Sequence, residues 1–242
     1  MTFCTTMKVR DGLVGISDTM ITSGSSCSTA TKVIIPTSSG HHTFYLMSSG
    51  LRSLRDKALT YLHEVIEEET PHFNKLYKAV NAFAKQVRRV SDEDKSYLKD
   101  SNLAFNIHTL VAGQLEDDDE HKLYLLYPEG NWIEVGKSSP FAIIGNSGFG
   151  KPIMSMALNY ESSMEFALKV GFLAFTETRL CATDVDYPID VVLYKRDSFK
   201  VISHRYELKE LNKYALLWKE EVAKSVDNFP DEWINSVFNK LK

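Results

Sequence analysis

No stretch of this sequence approaches the ~18–20 apolar residues that a membrane span requires. The most apolar run, Phe166 to Phe175, still carries Lys169. The opening residues lack the apolar core of a secretory signal, because Lys8, Arg10 and Asp11 interrupt it, so no targeting segment is expected. Cysteine is scarce. Cys4, Cys27 and Cys181 are odd in number and have neither metal nor redox spacing, which points to free thiols in a reducing cytoplasm. Charge of one sign is also lacking. A net charge of −4 creates no field that draws nucleic acid or an anionic membrane, so peptides, small molecules and other subunits are the expected partners. Two common catalytic motifs are missing: His63-Glu64 is followed by Val65, Ile66 and Glu67 rather than completing H-E-x-x-H, and there is no G-x-S-x-G.

What is present suits a folded core. With 43% hydrophobic residues over 242, the chain can bury one large domain or two small ones. Thr2 to Val9 and Leu13 to Asp18 are β-rich runs around Arg10-Asp11-Gly12. A three-residue loop with Gly12 left-handed pairs Cys4 with Asp18 and sets Asp18 on the face of Thr2; a two-residue loop sends Asp18 to the opposite face. Both faces are apolar, so the sheet is expected to be covered on both sides.

A Ser/Gly/Thr-rich loop, Ser23 to Thr31, precedes strands at Lys32 to Pro36 and Thr43 to Met47. The period then changes to 3.6: Leu51, Leu54, Ala58, Leu62 and Val65 form one helical stripe. After Thr70-Pro71, an N-cap and first position, Phe73, Leu76, Tyr77, Val80, Phe83 and Val87 form another. Strands follow at 103–113, 122–127, 131–135 and 141–144, then helices at 152–158 and 164–175, then a strand at 189–194. That order, strands before helices twice over, predicts two sheets between two helical layers. Beyond Asp197, stripes through Leu208, Leu211, Ala215, Trp218 and Val222 and through Trp233, Val237 and Leu241 predict terminal helices, packed on their own domain or on a neighbouring subunit.

Several candidate sites have plainer readings. Gly145 to Lys151 matches the phosphate-loop spacing G-x-x-x-x-G-K, but Pro152 stands where a Mg²⁺-binding hydroxyl belongs and removes a backbone donor. Glu116 to Glu120 with His121 reads as a solvated hairpin tip, and His41-His42 as a polar turn, so no metal site is expected.

Thr2, Asp18, Lys32 and Gly50 remain. At this spacing behind a removable Met1 they resemble the active site of the proteasome β-subunits, within the N-terminal-nucleophile hydrolases. The likeness extends through Gly12 to Thr19, Lys32-Val33, Met47 to Leu51, Tyr127 to Glu134, Ile144-Gly145, Gly150 to Ile153 and Pro188 to Asp190, which look like the bacterial proteasome-type family called Anbu, or ancestral β-subunit. It covers about residues 2–197, with 198–242 as a C-terminal helical extension. The resemblance implies an α+β fold, a four-layer αββα sandwich, and a threonine peptidase whose nucleophile is Thr2 after loss of Met1. In that chemistry the Thr2 amine is the base, Lys32 the supporting cation, Asp18 its holder and the Gly50 N–H the oxyanion donor. Where proteasome subunits place a Ser supporting the amine, this sequence has Asn146 or Ser147, and Asn146 is chosen. Asp184 is chosen within Thr183 to Asp186 for the later supporting acid. No cofactor is implied. The expected partners are a peptide or amide substrate, further copies of the chain in a homo-oligomer, and an unfoldase of unknown identity. Two other functions stay open: hydrolysis of small amides, and a non-catalytic assembly protein.

Overall fold

The structure, a computed structural model, describes residues 2–23, 26–39, 42–68 and 73–241. The fold begins with a hairpin, β1 (Phe3–Val9) and β2 (Gly12–Asp18). Its turn has two residues, Arg10 and Asp11, so that Val9 pairs with Gly12 and Cys4 with Ser17. Of the two loop lengths the sequence left open, the two-residue one is observed, and the reason lies in Gly12. It serves as a strand residue, where an added Cβ would lie 2.1 Å from the Tyr194 carbonyl oxygen, so close strand approach rather than a left-handed turn demands glycine.

A small hairpin, β3 (Met20–Ser23) and β4 (Ser26–Thr29), occupies part of the stretch expected to be a loop. β5 (Val33–Ser39) and β6 (His42–Gly50) lead into α1 (Arg52–Glu68) and α2 (Leu76–Asp100). The expected helix start at Thr70-Pro71 lies outside the described residues. The Leu76 N–H donates instead to Asp118 Oδ2 at 2.9 Å, a carboxylate supplied from another element. β7 (Ile107–Leu115), β8 (Lys122–Leu126), β9 (Trp132–Glu134) and β10 (Phe141–Gly145) follow, then α3 (Lys151–Ala157), α4 (Met164–Cys181) and β11 (Ile189–Lys195). β12 (Val201–Tyr206) falls inside the stretch expected to be a helical extension, and it pairs with β11. The helices of the extension begin at Leu208, where the stripe through Leu208 and Leu211 starts.

Two five-stranded antiparallel sheets result, ordered β10-β1-β2-β11-β12 and β5-β6-β7-β8-β9. Between them Cys4, Leu13, Tyr45, Met47, Ala112 and Val192 form one buried cluster. On the outside of the second sheet, Leu54, Ala58 and Leu62 of α1 and Val80, Phe83 and Val87 of α2 pack on Leu46 and Val111. Each such side chain contributes roughly 1.5–3 kcal/mol of burial. On the outside of the first sheet, Phe3 meets Phe175 of α4 at 6.1 Å between ring centroids, and Thr5 Oγ1 reaches Met154 Sδ of α3 at 3.7 Å. β1 and β2 are consequently buried at every position, as strands covered on both faces must be. The expected four-layer αββα order is the observed one.

Residues 208–242 form a second unit, with α5 (Leu208–Asp227) and α6 (Glu232–Phe238). Among the described residues no helix is long and apolar enough to cross a membrane.

Candidate active site

Thr2 stands one residue before β1, an inner strand of its sheet, and is buried. Phe3 pairs with Gly145 of β10, and the Asn146 N–H donates to the Thr2 carbonyl at 2.6 Å. Gly145 has φ +83°, and a Cβ on it would stand 1.9 Å from that carbonyl oxygen. Only glycine both takes this conformation and leaves room for Thr2. The first glycine of the phosphate-loop spacing therefore fits against Thr2.

Asp18 ends β2 with no exposed surface, and its carboxylate turns to the end of the strand. Oδ1 accepts Lys32 Nζ at 2.7 Å and the Phe3 N–H at 2.8 Å, while Oδ2 accepts the Met20 N–H at 3.2 Å. Burial pushes the Asp18 carboxyl above its ordinary value; the Lys32 ammonium and the two N–H donors oppose that push and favour the charged form. Lys32 itself is buried. Gly50 closes β6 with φ +114°, and a Cβ on it would meet the Asn106 carbonyl at 1.9 Å. Thr2, Lys32 and Gly50 thus line one cavity of 680 Å³, together with Met20, Ile21 and Tyr127.

The other two chosen residues sit differently. Asn146 touches Thr2 through its backbone N–H, and Ser147, the other residue open at that point, lines the cavity. Asp184 lies in the turn between α4 and β11 and is not among the lining residues. Cys4, on the strand beside the site, is a poor rival nucleophile. Burial pushes its thiol up to about 12, and its Sγ lies 3.1 Å from Ser17 Oγ. All three cysteines are free; Cys4 is buried, whereas Cys27 and Cys181 are exposed.

One set of contacts is not evident in the sequence. The segment that delivers Lys32 is held by the Ala30 N–H on the Thr19 carbonyl at 2.9 Å and by Thr31 Oγ1 on Asp190 Oδ2 at 2.9 Å. Asp190 is in turn gripped at both oxygens by Arg205 of β12, at 2.7 and 2.9 Å. The Asp190 side of that grip lies in the stretch Pro188 to Asp190 that resembles Anbu, but the Arg205 partner sits where no strand is expected. The acidic run is likewise less solvated than expected. Asp118 accepts the Leu76 and Leu115 N–H groups, and Glu120 pairs at 2.9 Å with the buried Lys8. His121 is fully buried behind it.

The site thus sets a threonine just before an inner strand of an αββα sandwich, with a buried Asp-Lys pair on the next strand and the segment after it. Solved structures share the fold closely. An Anbu (Gly-1) mutant from Hyphomicrobium sp. strain MC1 is similar with a TM-score of 0.86, at 24% identity over 94% of this chain and 98% of that one. Anbu, the ancestral beta-subunit, from Yersinia bercovieri matches with TM-score 0.86 and 24% identity, over 94% of this chain and 97% of its own. The helical assembly of the Anbu complex from Pseudomonas aeruginosa matches with TM-score 0.87 and 24% identity, over 94% and 97%. This chain therefore has the Anbu fold, that of the proteins its sequence resembles. No family model matches it, and no curated protein matches it.

Proposed function

We propose that the chain is a proteasome-type threonine peptidase, with Thr2 as nucleophile once Met1 is removed. The observation that carries this reading is the buried Asp18–Lys32 pair, 2.7 Å apart, whose Lys32 lines the same cavity as Thr2. Freed of Met1, Thr2 holds a hydroxyl and an α-amine on one residue. The amine, with an ordinary pKa near ~8, accepts the hydroxyl proton as Oγ attacks a peptide carbonyl. An ester forms to Thr2, the C–N bond breaks, and the leaving amine takes the proton. Water then hydrolyses the ester and regenerates the hydroxyl. The Lys32 ammonium disfavours a second positive charge nearby and so keeps the amine neutral; Asp18 holds Lys32 in position. The Gly50 N–H faces the oxyanion, a donor worth roughly 2.7–4 kcal/mol in comparable sites.

Self-association belongs to the same reading. Leu216, Leu217, Phe229, Trp233 and Phe238 of the C-terminal unit are exposed, an apolar set that suits contact with further copies, and the P. aeruginosa relative forms a helical assembly. The test is intact mass together with labelling by an electrophile directed at N-terminal threonine and turnover of a peptide panel. Loss of Met1, labelling at Thr2 and loss of turnover in Thr2→Ala are expected. Retained Met1, or Thr2→Ala with unchanged turnover, sinks the mechanism. Cleavage of small amides with peptides ignored favours the amidohydrolase reading, and an inert Thr2 favours an assembly protein.

A further inference from the structure

The cavity beside Thr2 carries an uneven charge. Lys32, Arg52 and Arg55 line it, and among the described residues no Asp or Glu does. Lys32 is matched by Asp18. Arg52 and Arg55 share a single countercharge: Asp56 accepts Arg52 Nε at 3.1 Å on Oδ2 and Arg55 Nη2 at 2.7 Å on Oδ1. Two guanidiniums against one carboxylate leave about one positive charge at the cavity wall. His108, also in the lining, adds none at neutral pH, because burial pushes its imidazole below the ordinary value.

Helix stability accounts for Arg52 only through its i,i+4 pair with Asp56, and not for Arg55. Both lie in the first turns of α1, whose first turn holds no acid, although the positive end of a helix favours carboxylates and opposes cations. Their side chains differ in a useful way: that of Arg55 is only 12% exposed, and that of Arg52 is 60% exposed. A planar guanidinium presents paired donors to a carboxylate, and the partly covered one loses less to solvent screening. Met20, Ile21 and Leu125 supply apolar wall around them.

We propose that this cavity selects peptides with an acidic side chain, Asp or Glu, next to the bond that is cut, with Arg55 as the sheltered anchor and Arg52 as the outer contact. The proposal rests on the reading above in taking the Thr2 cavity as the substrate site. It deepens that reading by naming the substrate class.

Binding separates the two claims. The probes are two fluorescent peptides, identical except for one Glu in place of Gln. They are titrated into the processed, full-length Thr2→Ala protein, which cannot cut them, and read by anisotropy. The Glu peptide is expected to bind at least ~10-fold tighter at low salt, with the ratio narrowing as salt screens the contact. Arg52→Gln/Arg55→Gln should erase the ratio, and Asp56→Asn, which frees both guanidiniums, should widen it. Equal affinities, no binding of either peptide, or a ratio that survives the double substitution overturns the proposal. If the ratio holds while Thr2 of the unaltered protein resists labelling, the acidic selectivity stands and the peptidase reading falls.

Discussion

Asp18 Oδ1 accepts both the Lys32 ammonium, at 2.7 Å, and the Phe3 N–H, at 2.8 Å, so one oxygen ties the residue after Thr2 to the cation beside it. Both partners are almost wholly buried, which makes each expensive without the other. Lys32→Met should therefore destabilise the protein by roughly 3–5 kcal/mol, because it strands a buried carboxylate. Adding Asp18→Asn should restore much of that stability while leaving Thr2 unreactive. Urea unfolding of the two single variants and the double one measures the coupling, and electrophile labelling measures Thr2. A double variant no more stable than Lys32→Met, or one that still labels at the original rate, contradicts this account of the pair.

Gly145→Ala offers a backbone test. The new Cβ would collide with the Thr2 carbonyl at 1.9 Å, and φ of +83° strains any L side chain. Because the obstruction is backbone, Thr2 must move. Labelling of Thr2 is expected to slow at least ~10-fold, the cost of a displacement near 1 Å being larger still in well-aligned sites. Gly148→Ala serves as the control, since nothing lies within 4 Å of a Cβ there. Equal labelling rates for the two variants would show that the Thr2 carbonyl does not need this glycine.

Arg205 acts on the site through two intermediaries, Asp190 and Thr31, the second being the residue before Lys32. Its guanidinium is partly exposed, but the Asp190 carboxylate it grips is buried, so removing Arg205 costs stability as well. Arg205→Ala is expected to lower the urea midpoint and also, in the fraction that stays folded, to lower the labelling rate of Thr2 and raise the pH at which labelling reaches half its maximum, because a displaced Lys32 no longer disfavours protonation of the amine. Arg205→Lys keeps charge without the two-point grip and should rescue only part of the loss. An unchanged pH profile in Arg205→Ala removes Arg205 from the positioning of Lys32.

The helical layers were readable because Leu54, Ala58 and Leu62, and Val80, Phe83 and Val87, repeat at the helical period and all reach one core. β4 and β12 were not, since β4 is exposed throughout and Ser203, His204 and Arg205 of β12 face solvent without alternation. The meeting of Asp18 with Lys32 was expected, but the loop length that sets the face of Asp18 was left open. Alternation along β2 puts Asp18 on the side of Phe3, away from Thr2. It fails at Asp18 because this is the last residue of the strand, where a short carboxylate can bend round to the backbone N–H groups of Phe3 and Met20. Lys32 reaches it through long-range contacts to Thr19 and Asp190, and no local spacing encodes those. Asp184 rested on alignment to a turn, and turns carry the least periodic information.

His121 makes stability depend on acid. It has no exposed surface, its Nε2 lies 2.7 Å from the Val9 carbonyl, and its Nδ1 has no hydrogen bond among the described residues. Nε2 donates to that carbonyl in the neutral ring, and a second proton on Nδ1 finds no acceptor. Burial, with the Lys8 ammonium adding to it, depresses the imidazole to about 4 from 6.5. For a depressed folded value, the contribution is fully present above pH 6.5 and is lost as pH falls through 4, because the unfolded chain takes up the proton first. The full loss is on the order of 3 kcal/mol. Glu120 shifts in the same sense but lower: burial pushes its carboxyl up, and Lys8 with its neighbours holds it down to about 2, so its window opens only below 4.5. Measurements confined to pH 7.5 down to 5 therefore exclude Glu120, but burial also depresses His108, which adds to the decline in the same sense. The comparison is made in a His108→Gln background, where the urea midpoint is expected to fall across that range and to stay flat once His121→Gln is added, even if that variant starts lower. A parallel decline in both proteins would assign the acid sensitivity to some other group.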